Sequence, residues 1–67
     1  MTRRLEEYYQ IIKSFIEKNG YSPTVREIGE LAGIASPATS MFAIKKLKNL
    51  GYIEYEKGKN RTIRCLK

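Results

Sequence analysis

The sequence lacks several residue types on which most enzymes depend. Its 67 residues include no His, no Asp and no Trp, and the one thiol belongs to Cys65. A catalytic triad, a Cys-His pair and a zinc cluster would each be missing a part. A chain of this length also has little room for an internal cavity. We therefore expect no enzymatic activity, no metal, no cofactor and no small-molecule ligand.

Signals for secretion or membrane insertion are also missing. No basic stretch is followed by an apolar run long enough for a signal peptide or a membrane span, and a single Cys cannot form an internal disulfide. We expect a reduced, soluble, cytoplasmic protein. The length predicts one domain over residues 1–67, and a hydrophobic content of 42% predicts that it folds.

Positive charge is in excess and unevenly distributed. The 13 Lys and Arg residues against 7 Glu give a net charge of +6. Most of the glutamates precede Gly33, whereas lysines accumulate from Lys45 onward. The C-terminal half should therefore carry a basic surface, which suits an anionic partner such as nucleic acid.

Apolar spacing and capping residues predict three helices. Apolar residues three and four apart predict a first helix from about Arg3 to Lys18. Thr24 and Glu27 have the spacing of a capping box, which predicts a second helix from about Val25 to Ala32. A Ser-Pro start predicts a third helix from about Pro37 to Leu50. The side chains expected in the core from the second and third helices are Ile28, Leu31, Ala32, Ser40, Ala43, Ile44, Leu47 and Leu50.

The pattern changes to alternation after Gly51. Residues 52–56 and 62–65 alternate apolar and polar side chains, and a basic turn sequence separates them, which predicts two strands joined by a tight turn. Gly29 in the second helix should allow another backbone to approach closely. The predicted fold class is mainly α (α+β), a three-helix winged helix-turn-helix with a C-terminal two-stranded β-hairpin wing.

The third helix has an unusual outer face. Its N-terminus carries the small residues Ala38 and Thr39, which could approach the edges of DNA bases. Met41 and Phe42 expose apolar area beside lysines without a folding benefit. Three interpretations stay open: they contact thymine methyl groups, they fill a pocket of a protein partner, or Phe42 packs under the hairpin.

Basic residues supply candidate contacts to phosphate. Lysines of the third helix and of the hairpin turn can lie side by side, with Glu56 as the neighbouring acid of the turn. The start of the second helix could bind an anion, although capping alone explains Thr24. The expected phosphate contacts are Thr24, Arg26, Lys45, Lys46, Lys57, Lys59 and Arg61.

Several segments together resemble one family. They are GYSPTVREIGE at 20–30, GIASP at 33–37, Leu47, and GYI at 51–53. This set is similar to the N-terminal DNA-binding domain of the LexA family of SOS repressors, over nearly the whole chain. The resemblance implies that the helix beginning at Ser36 enters the major groove of a double-stranded operator. The base-contacting positions that it implies are Ser36, Ala38, Thr39, Met41 and Phe42.

Two departures from the family pattern limit what the resemblance implies. Enterobacterial members have Asn and Glu where this chain has Ala38, Met41 and Phe42, so a different operator is expected. LexA proteins also continue into a linker and a self-cleaving, dimerising peptidase domain, which residues 1–67 do not include. We expect no autoproteolysis within these residues, whether the chain is an excised domain or a stand-alone regulator.

The sequence thus favours a bacterial transcriptional regulator located at the nucleoid. Each copy would bind one half-site, and two copies would occupy a palindromic operator as a possible homodimer on DNA. An alternative is a winged-helix protein-interaction module, an antirepressor or adaptor that docks through Met41 and Phe42. A basic amphipathic peptide on a membrane surface is less well supported, because the caps and turns predict a folded domain.

Overall fold

Three helices precede a small antiparallel sheet. A computed structural model describes residues 2–34, 36–59 and 61–66. The elements are α1 (Arg3–Asn19), α2 (Val25–Ala32), α3 (Pro37–Asn49), β1 (Ile53–Glu54) and β2 (Arg64–Cys65). The predicted helix bounds are correct to within one residue, and the winged helix-turn-helix class is confirmed.

Side-chain caps define where the first two helices begin. At α1 the N–H of Leu5 donates to Thr2 Oγ1 at 3.2 Å. At α2 the N–H of Glu27 donates to Thr24 Oγ1 at 3.1 Å, and Glu27 Oε1 accepts from the N–H of Thr24 at 2.9 Å. The predicted capping box is therefore present, and it satisfies two backbone N–H groups that the helix itself cannot pair.

The turn between α2 and α3 depends on two glycines. Gly33 ends α2 with a φ of 73°, a left-handed conformation that residues with a side chain rarely adopt. A Cβ on Gly29 would lie 2.9 Å from Ser40 Oγ of α3 and 3.3 Å from the carbonyl oxygen of Ile34. The carbonyl oxygen of Ile34 confirms the predicted close approach of another backbone at Gly29, and a side-chain atom of α3 lies nearer still.

The core lies between the three helices and is closed by one face of the hairpin. Ser40 is fully buried among its apolar residues, and its hydroxyl lies 3.5 Å from the hydroxyl of Tyr8. Tyr9 also packs edge-on against Tyr52, with ring centres 5.7 Å apart. The buried hydrophobic side chains are Leu5, Tyr8, Tyr9, Ile12, Ile28, Ala43, Ile44, Leu47, Ile53 and Ile63.

Two of the leucines assigned to the core are exposed. Leu31 is 58% exposed, because it lies at the rim of a groove formed by α1 and α2 alone, beside Ile11 and Phe15. Leu50 is 44% exposed, because α3 ends at Asn49 and the chain turns away there. The helical spacing of apolar residues continues through Leu31 and Leu50, but the core does not extend to these two side chains.

The hairpin is shorter and its connection longer than predicted. Ile53 pairs with Cys65, and each strand has only two residues, so residues 55–63 form the connection. A tight turn is present where it was predicted, closed by the N–H of Lys59, which donates to the carbonyl oxygen of Glu56 at 3.3 Å, but it does not join the two strands directly. Asn60 lies outside the described residues. The ladder stops because the N–H of Glu56 donates to the side-chain oxygen of Thr62, at 2.9 Å, instead of to a backbone carbonyl.

The contact between α2 and α3 gives a test of the packing. We expect Gly29→Ala to lower the free energy of unfolding by about 1 kcal/mol, because overpacking outweighs the helical preference of Ala over Gly. The cost should at least halve in a Ser40→Ala background, which removes the atom nearest to the new methyl group. Urea denaturation followed by circular dichroism measures both values. An equal cost in the two backgrounds would contradict this account.

Candidate nucleic-acid interface

The rotation of α3 determines which of its residues face outward. Ser40, Ile44 and Leu47 are fully buried, so the opposite side of the helix points to solvent. That side carries four exposed residues spaced by three and four, which we call the α3 stripe: Ala38, Phe42, Lys45 and Asn49.

Phe42 is the most prominent apolar residue of the α3 stripe. Its side chain is 74% exposed. The interpretation that Phe42 packs under the hairpin is therefore wrong. An aromatic ring that contributes so little to the core is available to a partner.

A basic cleft lies beside the α3 stripe. The start of α2, the side of α3 and the hairpin connection form its walls, and we call it the wing cleft. It brings together five of the seven residues predicted to contact phosphate, which are separated in the sequence. They are Thr24, Lys45, Lys57, Lys59 and Arg61.

The other two predicted phosphate contacts lie elsewhere. Lys46 is exposed on the far side of α3, where it shares a shallow depression with Thr39, Phe42 and Arg4. Arg26 is exposed on α2, outside the residues that line the wing cleft. Arg4 was not a sequence candidate, since its position on the first helix gave no signal that it would approach α3.

The predicted base contacts are mostly accessible. Ser36 is exposed at the N-cap of α3, and its hydroxyl makes no capping hydrogen bond within the described part of the chain. Ala38, Thr39 and Phe42 are also exposed, whereas Met41 is half-buried at the wall of the wing cleft. Among the described residues, the hydroxyl of Ser36 is thus not used to cap α3.

Asn49 joins the candidate site, although the sequence candidates omitted it. It belongs to the α3 stripe and also lines the wing cleft, one turn beyond Lys45. An amide can donate to a phosphate oxygen or to a base edge. Helical spacing from Lys45 was the signal that could have identified it.

Ion pairs divide the basic residues into two groups. Lys48 Nζ lies 3.2 Å from Glu54 Oε1, and Lys59 Nζ lies 3.3 Å from Glu56 Oε2. Within residues 2–34, 36–59 and 61–66, no salt bridge involves the three remaining lysines of α3 and the connection. These are Lys45, Lys46 and Lys57.

Arg61 has an acidic partner that the sequence did not indicate. Its guanidinium is paired with Glu27, at 2.9 Å between Nη1 and Oε1. Glu56 is the neighbouring acid of the turn, as expected, but it pairs with Lys59 and not with Arg61. Glu27 lies 34 residues earlier and reaches Arg61 only because α2 begins beside the wing.

Hydrogen bonds and cations keep two carboxylates ionised. The pKa of Glu27 is lowered by the backbone N–H of Thr24 and then by the Arg61 guanidinium. The pKa of Glu54 is lowered by the N–H of Tyr55 and then by Lys48. Both carboxylates therefore stay charged at neutral pH and retain their cationic partners.

The described residues indicate neither a metal centre nor a membrane span. Across these ranges no cluster of three or more His, Cys or Glu side chains is arranged to hold a metal ion. No helix among them combines the length and the apolar character that crossing a bilayer requires. Burial raises the pKa of the Cys65 thiol, which disfavours the reactive thiolate.

The geometry and the comparisons with known proteins agree. An exposed helix of a helix-turn-helix pair beside a basic wing cleft defines a winged-helix DNA-binding domain. A family model described as the LexA DNA binding domain matches residues 1–62, and the chain belongs to this family.

Relatives from several bacteria support the assignment. The LexA repressor of Desulfatibacillum aliphaticivorans is 42% identical over 67 residues, which is 100% of this chain and 33% of the relative. LexA repressors of Staphylococcus carnosus and Staphylococcus aureus strain Newman are 41% and 43% identical over 63 residues, which is 94% of this chain and 30% of each relative. The chain thus spans about a third of the length of these relatives.

The lowered pKa of Glu27 predicts how stability depends on pH. A carboxyl whose pKa is lower in the folded than in the unfolded state stabilises the fold above its unfolded value of 4.5, and this stabilisation is lost as pH falls through the folded pKa. Between about pH 5 and pH 3 a paired carboxyl takes up its proton. We expect the free energy of unfolding to fall less over this range in Glu27→Gln than in the wild-type protein.

Urea denaturation at a series of pH values measures this effect. Glu30→Gln is the control, because Glu30 is an exposed carboxylate on the same helix. If both variants keep the wild-type pH dependence, neither the hydrogen bond from Thr24 nor the ion pair with Arg61 makes the ionised Glu27 stabilise the fold.

Proposed function

We propose that this chain recognises operator DNA as the DNA-binding domain of a transcriptional repressor. The observation that supports this proposal most directly is that Lys45, Lys57 and Lys59 line one cleft beside an exposed helix. In this proposal α3 lies in the major groove and the wing cleft lies on the phosphate backbone. The relatives described above, all named as repressors, support the same function.

The dimensions of α3 suit the major groove. A helix with its side chains is about 10–12 Å across, and the major groove of B-DNA is about 12 Å wide. Small residues at the start of α3, Ala38 and Thr39, let the backbone approach the base edges. Lysines on the flank then lie close to phosphates, which position the protein without reading the sequence.

Base reading is assigned to the first two turns of α3. The Ser36 hydroxyl can donate to or accept from a base edge, and Thr39 can do the same. Ala38 and Phe42 are apolar and would contact thymine methyl groups. The operator should therefore contain thymines opposite the centre of the α3 stripe.

Two copies on a palindrome would form the working complex. A single small domain makes few contacts, and non-specific affinities are only about 10⁻⁴ to 10⁻⁶ M at physiological salt. Half-sites one helical turn apart would let two copies bind the same face of the duplex.

The family match does not favour the alternative of a protein-interaction module. The two residues through which such a module would dock, Met41 and Phe42, also point in different directions. Phe42 is exposed, but Met41 is half-buried at the wall of the wing cleft. The two side chains therefore do not present one continuous apolar face.

Salt dependence tests the proposed mode of binding. A palindromic duplex selected from a random pool is titrated with the chain by fluorescence anisotropy at several salt concentrations, with a scrambled duplex alongside. If five phosphates are neutralised, log affinity falls against log salt with a slope of about −4 to −5. Affinity that does not change with salt, or equal affinity for both duplexes, would refute the proposal.

Removal of one cleft lysine should reduce that slope. We expect Lys45→Ala to lower its magnitude by about 0.9 and to weaken binding to both duplexes alike, because one phosphate contact is lost. Lys18→Ala is the matched control, since Lys18 is exposed but lines the separate groove between α1 and α2. The same change in slope for both variants would show that only net charge matters.

Phe42 should affect sequence preference and leave stability unchanged. We expect Phe42→Ala to weaken binding to the selected duplex by about tenfold, which corresponds to about 1.4 kcal/mol, and to leave the scrambled duplex nearly unaffected. Unfolding free energy should change by less than about 0.5 kcal/mol, because the ring is exposed.

Leu31→Ala is the control for Phe42→Ala, because Leu31 is an exposed apolar residue away from α3. It should leave binding to both duplexes unchanged. An equal loss on both duplexes for Phe42→Ala would exclude a role of Phe42 in base reading.

A further inference from the structure

Arg61 belongs to the wing, but its side chain contacts the start of α2. The residue has a φ of 57°, a left-handed conformation that is costly for any residue other than glycine. Backbone strain of this kind persists only where the surrounding contacts hold it in place. The contacts of the guanidinium provide that restraint.

The guanidinium makes three hydrogen bonds to two residues. Nη1 donates to Glu27 Oε1 at 2.9 Å, and Nη2 donates to Glu27 Oε2 at 3.2 Å, which makes the ion pair bidentate. Nη1 also donates to the carbonyl oxygen of Ser22 at 3.1 Å. The guanidinium carbon lies 4.9 Å from the ring centre of Tyr21. Paired bonds of this kind fix orientation as well as distance.

A second contact fastens the same part of the wing. The backbone N–H of Ile63 donates to the buried hydroxyl oxygen of Ser22 at 3.1 Å. Residues 61 and 63 are therefore both attached to the segment that leads into α2.

The sheet by itself gives the wing little support. Its two strands contribute two residues each, and an isolated hairpin is only marginally stable in water. The connection that carries Lys57 and Lys59 extends beyond this ladder. Lys48 of α3 holds the start of the connection, through Glu54 at 3.2 Å and the ring of Tyr55 at 4.6 Å. The end of the connection is held where residues 61 and 63 are attached.

We propose that Glu27 and Arg61 are positioning residues that hold the wing against α2 and so set the geometry of the wing cleft for DNA. This inference rests on the proposed function and refines it, because it gives Arg61 a different role from the phosphate contact expected from the sequence. Glu27 has a part in DNA binding although it is an acid beside a phosphate-binding surface.

The sign of a charge effect distinguishes the two roles of Arg61. Removal of a glutamate makes the protein more positive, which by itself strengthens binding to DNA. If Arg61 contacts phosphate, loss of Glu27 also frees it for that contact, and affinity rises further. If the pair positions the wing, loss of Glu27 weakens binding despite the gain in positive charge.

Glu27→Gln is the variant that tests this inference. The Gln carbonyl oxygen can still accept from the N–H of Thr24, so the capping box is retained while the ion pair is lost. Glu30→Gln is the matched control, with the same charge change at an exposed position of α2. We expect Glu27→Gln to bind the selected palindrome about twofold to fivefold more weakly than Glu30→Gln does, in the range expected for loss of an exposed but well-oriented ion pair.

A measurement on the free protein accompanies the binding assay. Heteronuclear ¹H-¹⁵N NOE values of residues 56–59, 61 and 62 should fall in Glu27→Gln and stay at wild-type values in Glu30→Gln. Arg61→Gln should lower them in the same way, and the double variant should show no further loss of affinity. Binding by Glu27→Gln that equals or exceeds that of Glu30→Gln, or unchanged NOE values, would overturn the inference.

The two readouts separate this inference from the proposed function. If the wild-type chain binds neither duplex, the proposed function fails and the NOE comparison still decides whether the pair holds the wing. If the wild-type chain binds and only the comparison of Glu27→Gln with Glu30→Gln goes against expectation, the positioning role fails alone.

Discussion

The close contact between α2 and α3 at Gly29 and Ser40 determines the rest of the interface. A side chain at position 29 would meet the Ser40 hydroxyl at 2.9 Å, so the two helices can cross at this distance only because one of them has a glycine there. With Ser40 buried at the crossing, the rotation of α3 is fixed. The α3 stripe then faces solvent, with Phe42 at its centre and Lys45 toward the wing.

The wing depends on contacts that connect distant parts of the chain. Its sheet is short, and the contacts from Arg61 and Ile63 to the segment that begins α2 add to those of Lys48 with Glu54 and Tyr55. The same helix start therefore has two structural tasks, since Glu27 both caps α2 and pairs with Arg61. Through these contacts α3, the start of α2 and the wing form one surface.

Local sequence signals predicted the helices and most of the core. The predictions failed where the structure depends on contacts between residues far apart in the sequence. The Thr24 and Glu27 spacing and the turn at Gly33 are local features, and the structure contains both. Periodicity gives the direction of a side chain but not what lies above it, so Leu31 was assigned to a core that does not reach it. The pairing of Glu27 with Arg61 spans 34 residues, and no local pattern encodes it.

The central claim is that α3 and the wing together form the surface that reads DNA, and mapping that surface directly is the most decisive measurement. Amide chemical shifts of the ¹⁵N-labelled chain are followed during titration with the selected palindrome at two salt concentrations. The account predicts salt-sensitive shifts that cluster at residues 36–49 and 57–61. Shifts concentrated in the groove between α1 and α2, around Phe15 and Leu31, or no shifts at all, would contradict it.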